Sequence, residues 1–270
     1  MSIKYIFCDI DDMLNAKLMP VCEENVLAIR KAREQGTKTV LSSGRLPVAI
    51  YDILDEISLE RCDSEYVISS NGSLLITTDS RILYDNPLRK NDFTRLATWL
   101  ASTDYEFVSF ADFDRYHLLI TKVEPLRRWG EEILDLEGAL EYIKGHSPYK
   151  FLIGGDTEEL KRVIRKIEDI TEGRVTGLFS HADMIEVVNS DVSKGKAINK
   201  LCELTNVDIR DTIAIGDNMN DYTLLEAAAI KTCPANAVPE IKAICDYISP
   251  KTAGEGAVAD IIEKFVLDKS

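Results

Sequence analysis

Ile3–Ile10 reads IKYIFCDI, and Asp9, Asp11 and Asp12 crowd its end. A short apolar run without polar alternation reads as a strand buried on both faces, the kind found inside parallel sheets. Downstream, Glu23–Gln35 has acids first, cations late and Gly36 behind it, which predicts a helix with a glycine C-terminal cap. Lys38–Leu41 reads as a second strand running into Ser42-Ser43-Gly44-Arg45. Pro47–Ile57 reads as a helix, and Tyr66–Ser69 as a third strand ending at Ser70-Asn71-Gly72. This β-α-β-α-β order predicts an α/β fold on a doubly wound, Rossmann-like parallel sheet.

The rhythm then changes. Ser73–Ile76 and Arg81–Tyr84 flank a polar turn, as in a hairpin. Helices are expected over Asn91–Ala101, Leu126–Leu136 and Glu158–Ile170. Strands are expected at His117–Thr121, Tyr149–Ile153, Arg174–Phe179 and Met184–Val188. Strand pairs mixed with helices predict a separate α+β unit. After Asn189 the first rhythm returns. It gives a helix at Ser193–Leu204, a strand at Thr212–Ile215 ending in Gly216-Asp217-Asn218-Met219-Asn220-Asp221, and a helix over Asn218–Ala229. A strand at Ile230–Cys233 and helices at Pro239–Ile244 and Glu255–Phe265 close the chain. One α/β domain, 1–82 with 189–270, is thus expected to be interrupted by an inserted α+β domain, 83–188.

Composition narrows the function. The 270 residues carry a formal charge of −14, which argues against nucleic-acid and acidic-membrane partners. An anionic small molecule is still admissible, because a local metal ion or lysine reverses the sign inside a cleft. The six cysteines form no CxxC pair and several sit in apolar runs, so reduced core thiols and a cytoplasmic setting are expected. No signal peptide or membrane-length apolar stretch is legible.

In doubly wound sheets, ligands gather beyond the carboxyl ends of the strands. Four features fall there: Asp9, Asp11 and Asp12; Ser43; Lys194; and Asp217, Asn220 and Asp221. Carboxylates gathered at one edge need a cation, and oxygen-only ligands suit a hard ion such as Mg²⁺. A carboxylate can attack phosphorus, and a second can protonate the leaving oxygen and later deprotonate water. A lysine and a hydroxyl can hold the phosphoryl oxygens. Each motif alone has a plainer reading: a solvated loop, a turn, a surface cation at a helix start, a helix cap. Together the plain readings require four coincidences at one edge.

Asp9-Ile10-Asp11-Asp12-Met13-Leu14 resembles the DxDGTL motif of the haloacid dehalogenase (HAD) superfamily phosphatases. Ser42-Ser43-Gly44-Arg45, Ser193-Lys194-Gly195 and Gly216-Asp217-Asn218-Met219-Asn220-Asp221 resemble the three motifs that follow it in that superfamily. Asn71-Gly72 and Asn236-Ala237 resemble recurring pieces of its Cof-type subfamily, and the insert would then be a type IIB cap. The resemblance implies that Asp9 is the nucleophile, and that Asp11 is the general acid and base with a backbone carbonyl on the metal. It implies that Asp9 and Asp217 are carboxylate ligands of Mg²⁺, and that Lys194 and Ser43 bind the transferring phosphoryl group. Gly44, Arg45 and Asn220 would then belong to the substrate-binding loops, and Asp221 would orient Lys194 or the metal's waters. Arg45 either touches substrate or pairs with an acid. The implied partner is a small phosphorylated metabolite, handled by a monomer or weak homodimer.

One departure stands out. Asp12-Met13 replaces the usual Gly-Thr. Asp tolerates the left-handed region better than most residues. Its charge is the larger concern: two unit charges ~6 Å apart at an effective dielectric of ~20 repel by roughly 3 kcal/mol. Activity is therefore expected to be retained but modest, with the Gly-Thr replacement raising it. Other functions weighed are a weakly active or inactive relative binding a phosphorylated ligand or a protein, a phosphomutase-like phosphotransferase, and a receiver domain. The inserted domain and the late GDxxND motif oppose the last. His117, His146, His181, Trp99, Trp129 and Arg127-Arg128 fall outside the motifs and are read as packing or surface residues.

Overall fold

Strand β1 (Tyr5–Cys8) is buried along its whole length, which explains why its sequence shows no polar alternation. The computed structural model describes residues 2–16, 19–112, 117–121 and 132–268, with the side chains of 117–121 and 132–133 left aside. After β1 come α1 (Glu23–Glu34), β2 (Lys38–Ser42), α2 (Val48–Glu56), β3 (Tyr66–Ser69), β4 (Leu74–Thr77) and β5 (Ile82–Asp85). The insert contributes α3 (Lys90–Ala101), β6 (Glu106–Ala111), β7 (His117–Thr121), β8 (Glu132–Ile133), α4 (Leu136–Tyr142), β9 (Pro148–Gly154), α5 (Thr157–Thr171), β10 (Val175–His181) and β11 (Met184–Asn189). The chain then returns through α6 (Lys194–Thr205), β12 (Thr212–Ile215), α7 (Tyr222–Ala227), β13 (Ile230–Cys233), α8 (Pro239–Lys242), β14 (Tyr247–Ile248) and α9 (Ala257–Ile262). Two compact units result, Met1–Tyr84 with Ser193–Ser270, and Asp85–Val192.

The first unit holds a sheet of order β14-β13-β12-β1-β2-β3-β4-β5, parallel from β14 through β3. β1 pairs with β2 on one side and β12 on the other, so the winding reverses there. The reversal opens a crevice beyond the carboxyl ends of β1 and β12, the place where ligands bind in such folds. Tyr5, Phe7, Val40, Ile68 and Ala214 face one layer, packed with Ile198 and Leu201 of α6 and Leu224 and Leu225 of α7. These are the residues that hold the first turn of α6 against the sheet.

The second unit is a sheet of order β10-β11-β9-β6-β7-β8 whose core contains Phe93 and Leu96 of α3, Leu160, Val163 and Ile167 of α5, and Phe107, Phe151 and Ile185 of the strands. Phe93 stacks on Phe151 at 4.9 Å. Lys150 and Glu186 form a buried ion pair at 2.7 Å, on β9 and β11.

Three expectations need correction. Glu106–Ala111 is a strand the sequence reading passed over, although Phe107 and Ala111 alternate with Val108 and Phe110. The helix expected over Leu126–Leu136 lies partly outside the described residues, and its end is instead strand β8 followed by α4, which starts at Leu136 on the Asp135 cap. The helix expected over Asn218–Ala229 is divided: Met219–Asp221 is a 3₁₀ turn and α7 is only Tyr222–Ala227. There Asn218 and Asp221 bond to backbone N–H groups, so a capping box occupies the residues assigned to helix.

Candidate active site

The sheet ladder continues one residue past each strand and sets the height of the functional groups. Asp9 N donates to Ile215 O at 3.0 Å, Ser43 N to Ile68 O at 3.0 Å, and Gly216 N to Thr232 O at 3.2 Å. Lys194 is the first residue of α6, capped by the Ser193 hydroxyl accepting from Lys196 N. A lysine at a helix start sits against the positive end of the dipole and needs compensation. It has it: Lys194 Nζ donates to Asp9 Oδ1 at 2.5 Å and to Asp221 Oδ1 at 2.6 Å, with 1% of its side chain exposed.

Asp221 is fully buried, and its second oxygen accepts from Asp217 N at 3.0 Å. The resulting chain runs from Asp9 through Lys194 and Asp221 to the backbone of Asp217. Gly216 makes room for it, because a Cβ there would lie 2.5 Å from Asp221 Cβ. Gly195 does the same between α6 and α7, where a Cβ would meet Thr223 O at 2.2 Å.

Carboxylate oxygens of Asp9, Asp217 and Asp221 all lie within 4.8 Å of one another. Three carboxylates against one ammonium leave a formal charge of −2 in a buried pocket. The pKa values register the imbalance. Burial first, then Asp221, pushes Asp9 up to about 7 despite Lys194. Burial, Asp221, Asp9 and Asp12 push Asp217 up to about 8. Burial alone would lower Lys194, but Asp221 and Asp9 together hold it above its ordinary value. A divalent cation would supply the missing charge, and an all-oxygen donor set fits a hard one.

Asp11 stands apart. Its side chain is 56% exposed and forked on Arg45, with Nε to Oδ2 at 3.0 Å and Nη2 to Oδ1 at 2.5 Å. Arg45 thus pairs with an acid, which is one of the two roles open to it. The carboxylates that lie together are those of Asp9, Asp217 and Asp221; the Asp11 side chain is not among them, whereas the metal role implied for Asp11 runs through its backbone carbonyl. Ser43 is buried and its hydroxyl accepts from Arg45 N at 3.1 Å across Gly44. Asn220 holds a buried side-chain oxygen that finds no hydrogen-bond donor among the described residues.

Asp12 adopts φ 56°, the left-handed conformation for which glycine would otherwise be selected. Met13 is fully buried. Asn236, noted in the sequence only as a recurring motif, donates from Nδ2 to Asp12 O at 3.0 Å. None of the described histidine side chains joins the cluster: His146 stacks on Tyr142 at 3.8 Å, and His181 ends β10 in the second unit. Trp99 packs against that unit's core, while Trp129 and Arg127-Arg128 lie outside the described residues.

The order of motifs, the reversal at β1 and the Asp9–Lys194–Asp221 chain invite comparison with known proteins. The sequence profile of the haloacid dehalogenase-like hydrolases matches residues 6–262. The chain belongs to this family. Within it, the chain is 28% identical to YxeH of Bacillus subtilis, over 98% of this chain and 99% of that one. It is 24% identical to the 5-amino-6-(5-phospho-D-ribitylamino)uracil phosphatase YwtE of the same organism, over 98% of each. The HAD subclass IIB sugar phosphatase BT4131 superposes with a TM-score of 0.81 at 18% identity, covering 97% of this chain and 98% of that one. This haloacid dehalogenase-like hydrolase is thus a phosphatase, with the fold of that subclass IIB neighbour. No described helix is long and apolar enough to cross a membrane.

Proposed function

We propose that the protein hydrolyses small phosphate monoesters by passing the phosphoryl group through Asp9, with Mg²⁺ held by Asp9 and Asp217. The observation that carries this reading is the buried ammonium of Lys194 bonded to both Asp9 and Asp221 beside Asp217. A nucleophilic carboxylate and an anionic ester repel. Lys194 sits where it can neutralise the phosphoryl oxygens as they approach Asp9, and the Ser43 hydroxyl can donate to them. The metal, when bound, supplies charge neutralisation for the oxygens of the transferring group.

In the first half-reaction an Asp9 oxygen bonds to phosphorus as the ester P–O bond breaks, and Asp11 gives its proton to the leaving oxygen. In the second, Asp11 takes a proton from water, whose oxygen attacks phosphorus and regenerates Asp9 with release of phosphate. Asp11 serves both steps from an exposed position, which requires it to leave Arg45. Sugar phosphates, nucleotides and cofactor phosphates such as pyridoxal phosphate and flavin mononucleotide are the substrates proposed. YwtE and BT4131 act on phosphorylated ribityl and sugar compounds by name, which supports the range. The enzyme is proposed to be cytoplasmic and monomeric or weakly dimeric, without nucleic-acid or membrane partners, the last of these supported by the charge of −14.

The weakly active binder was suggested by Asp12-Met13 alone. Asp12 already has the backbone conformation that glycine would supply, so the turn survives the substitution. The test is a panel of phosphate esters assayed with Mg²⁺ and with a chelator, together with acid-quench trapping of labelled phosphate on the protein. Turnover across the whole panel that ignores chelation, or absence of label from Asp9, would defeat the proposal.

A further inference from the structure

Asn236 lies on the loop between β13 and α8, outside every group that the reaction needs. Its side chain makes two hydrogen bonds in opposite directions: Nδ2 donates to Asp12 O at 3.0 Å, and Oδ1 accepts from Ala253 N at 3.0 Å. Both assignments follow from the partners, since a carbonyl can only accept and an N–H can only donate. Two residues on, Val238 N donates to Asp217 O at 2.9 Å, and Ala235 N donates to Lys251 O at 2.8 Å. One short loop therefore grips the nucleophile turn through Asp12, the metal-ligand turn through Asp217, and the 249–253 segment through Ala235 and Asn236.

The grip falls on a backbone that needs it. Asp12 is held at φ 56°, where a residue with a Cβ is disfavoured relative to glycine. Its turn carries Asp9 and Asp11 on one side and continues into Met13 and Leu14, whose N–H groups return to Ile10 O at 3.4 and 3.0 Å. A carbonyl fixed from outside restricts rotation of the Asp12–Met13 peptide, and with it the direction in which Asp11 leaves the turn.

We propose that Asn236 is a positioning residue that locks the left-handed Asp12 turn and couples it to the Asp217 turn, fixing the spacing between the nucleophile and the metal site. This rests on the phosphatase reading for its kinetic consequence, but not for its structural one. The coupling is specific to a non-glycine residue at position 12: with glycine there, the left-handed turn needs less help.

The experiment is a double-mutant cycle of Asn236→Ala and Asp12→Gly, read as kcat, KM and Mg²⁺ dependence with p-nitrophenyl phosphate, and as unfolding midpoint in urea. Asn236→Ala is expected to lower kcat about tenfold (~1.4 kcal/mol) with KM changed less than about twofold, and to raise the Mg²⁺ concentration needed for half-maximal activity. In the Asp12→Gly background the same change is expected to cost only about threefold, a non-additivity diagnostic of direct coupling. Asn236→Asp keeps the acceptor for Ala253 N and loses the donor to Asp12, so it should reproduce the loss of kcat even if Asn236→Ala folds poorly. Additive effects in the cycle, or wild-type kcat in Asn236→Asp, would overturn the proposal. A wild-type protein without turnover would instead refute the phosphatase reading. The unfolding cycle would then decide on Asn236 alone, with additivity again counting against it.

Discussion

Replacing Asp9 with Asn should stop turnover and, in the absence of divalent metal, make the protein more stable. The magnitude follows from the cluster. Asp9 faces Asp217 and Asp221 across no more than 4.8 Å. At an effective dielectric of ~20, two such charges repel it by at least ~3.5 kcal/mol each. Lys194 at 2.5 Å attracts it by ~6.6 kcal/mol on the same scale. Repulsion and attraction nearly cancel, so the desolvation of a fully buried carboxylate decides the balance, and that is unfavourable by several kcal/mol for an ion. The amide keeps a hydrogen bond to Lys194, which also retains Asp221. A net gain of about 2 kcal/mol is expected, or about 4–8 °C in Tm for the first unit. The assay is thermal unfolding at pH 8 with a chelator, beside p-nitrophenyl phosphate turnover with Mg²⁺. A lower Tm for Asp9→Asn under chelation would refute the electrostatic reasoning, and turnover above trace would refute covalent attack by Asp9.

The same imbalance makes stability depend on pH. Asp9 and Asp217 hold their protons in the folded state up to about 7 and about 8, where the unfolded chain has already lost them. Metal-free protein should therefore lose stability as pH rises from about 4 to 8, with Mg²⁺ raising Tm more at pH 8 than at pH 5; a flat metal-free profile would count against this. Asp12→Gly should raise kcat/KM severalfold by removing a charge that contributes to the raised Asp217, as steady-state kinetics would register. Met13→Thr alone should cost about 2–4 kcal/mol of stability in denaturant titration, because Met13 is fully buried and a hydroxyl would replace apolar contact. Arg45→Ala should leave Tm within about 2 °C, since an exposed pair contributes ~0–1 kcal/mol, while changing kcat through release of Asp11. An unchanged kcat would show that the Arg45 fork has no part in placing the acid.

Much of this was readable because the chemistry sits at strand ends. β1, β2, β3 and β12 are apolar runs closed by polar residues, so the sequence alone assigns Asp9, Ser43 and Asp217 to one sheet edge. Lys194 was readable as a helix start, and Asp221 as its neighbour only through motif order. What escaped were features fixed by distant partners. Nothing local to Arg45 selects Asp11 over a substrate, and the two Asn236 bonds join residues 224 and 17 positions away. β6 escaped for a different reason: apolar residues on both its faces blur the period-two signal. The helix after Asp217 was overextended because Asn218 reads equally as the cap of a long helix and as the start of a separate capping turn before a short one.

Because β1 lies between β2 and β12, one edge of this fully buried strand has no partner until about 200 further residues have been made. At ribosomal rates of about 5–20 residues per second that is an interval of about 10–40 s. The intervening 85–192 segment is contiguous and owns its core, so it can fold first and leave the emerging β1 edge to be shielded by chaperones. Fragments ending before β12 are then expected to accumulate as aggregates, whereas a permuted chain with β12 placed ahead of β1 would close the sheet early in translation.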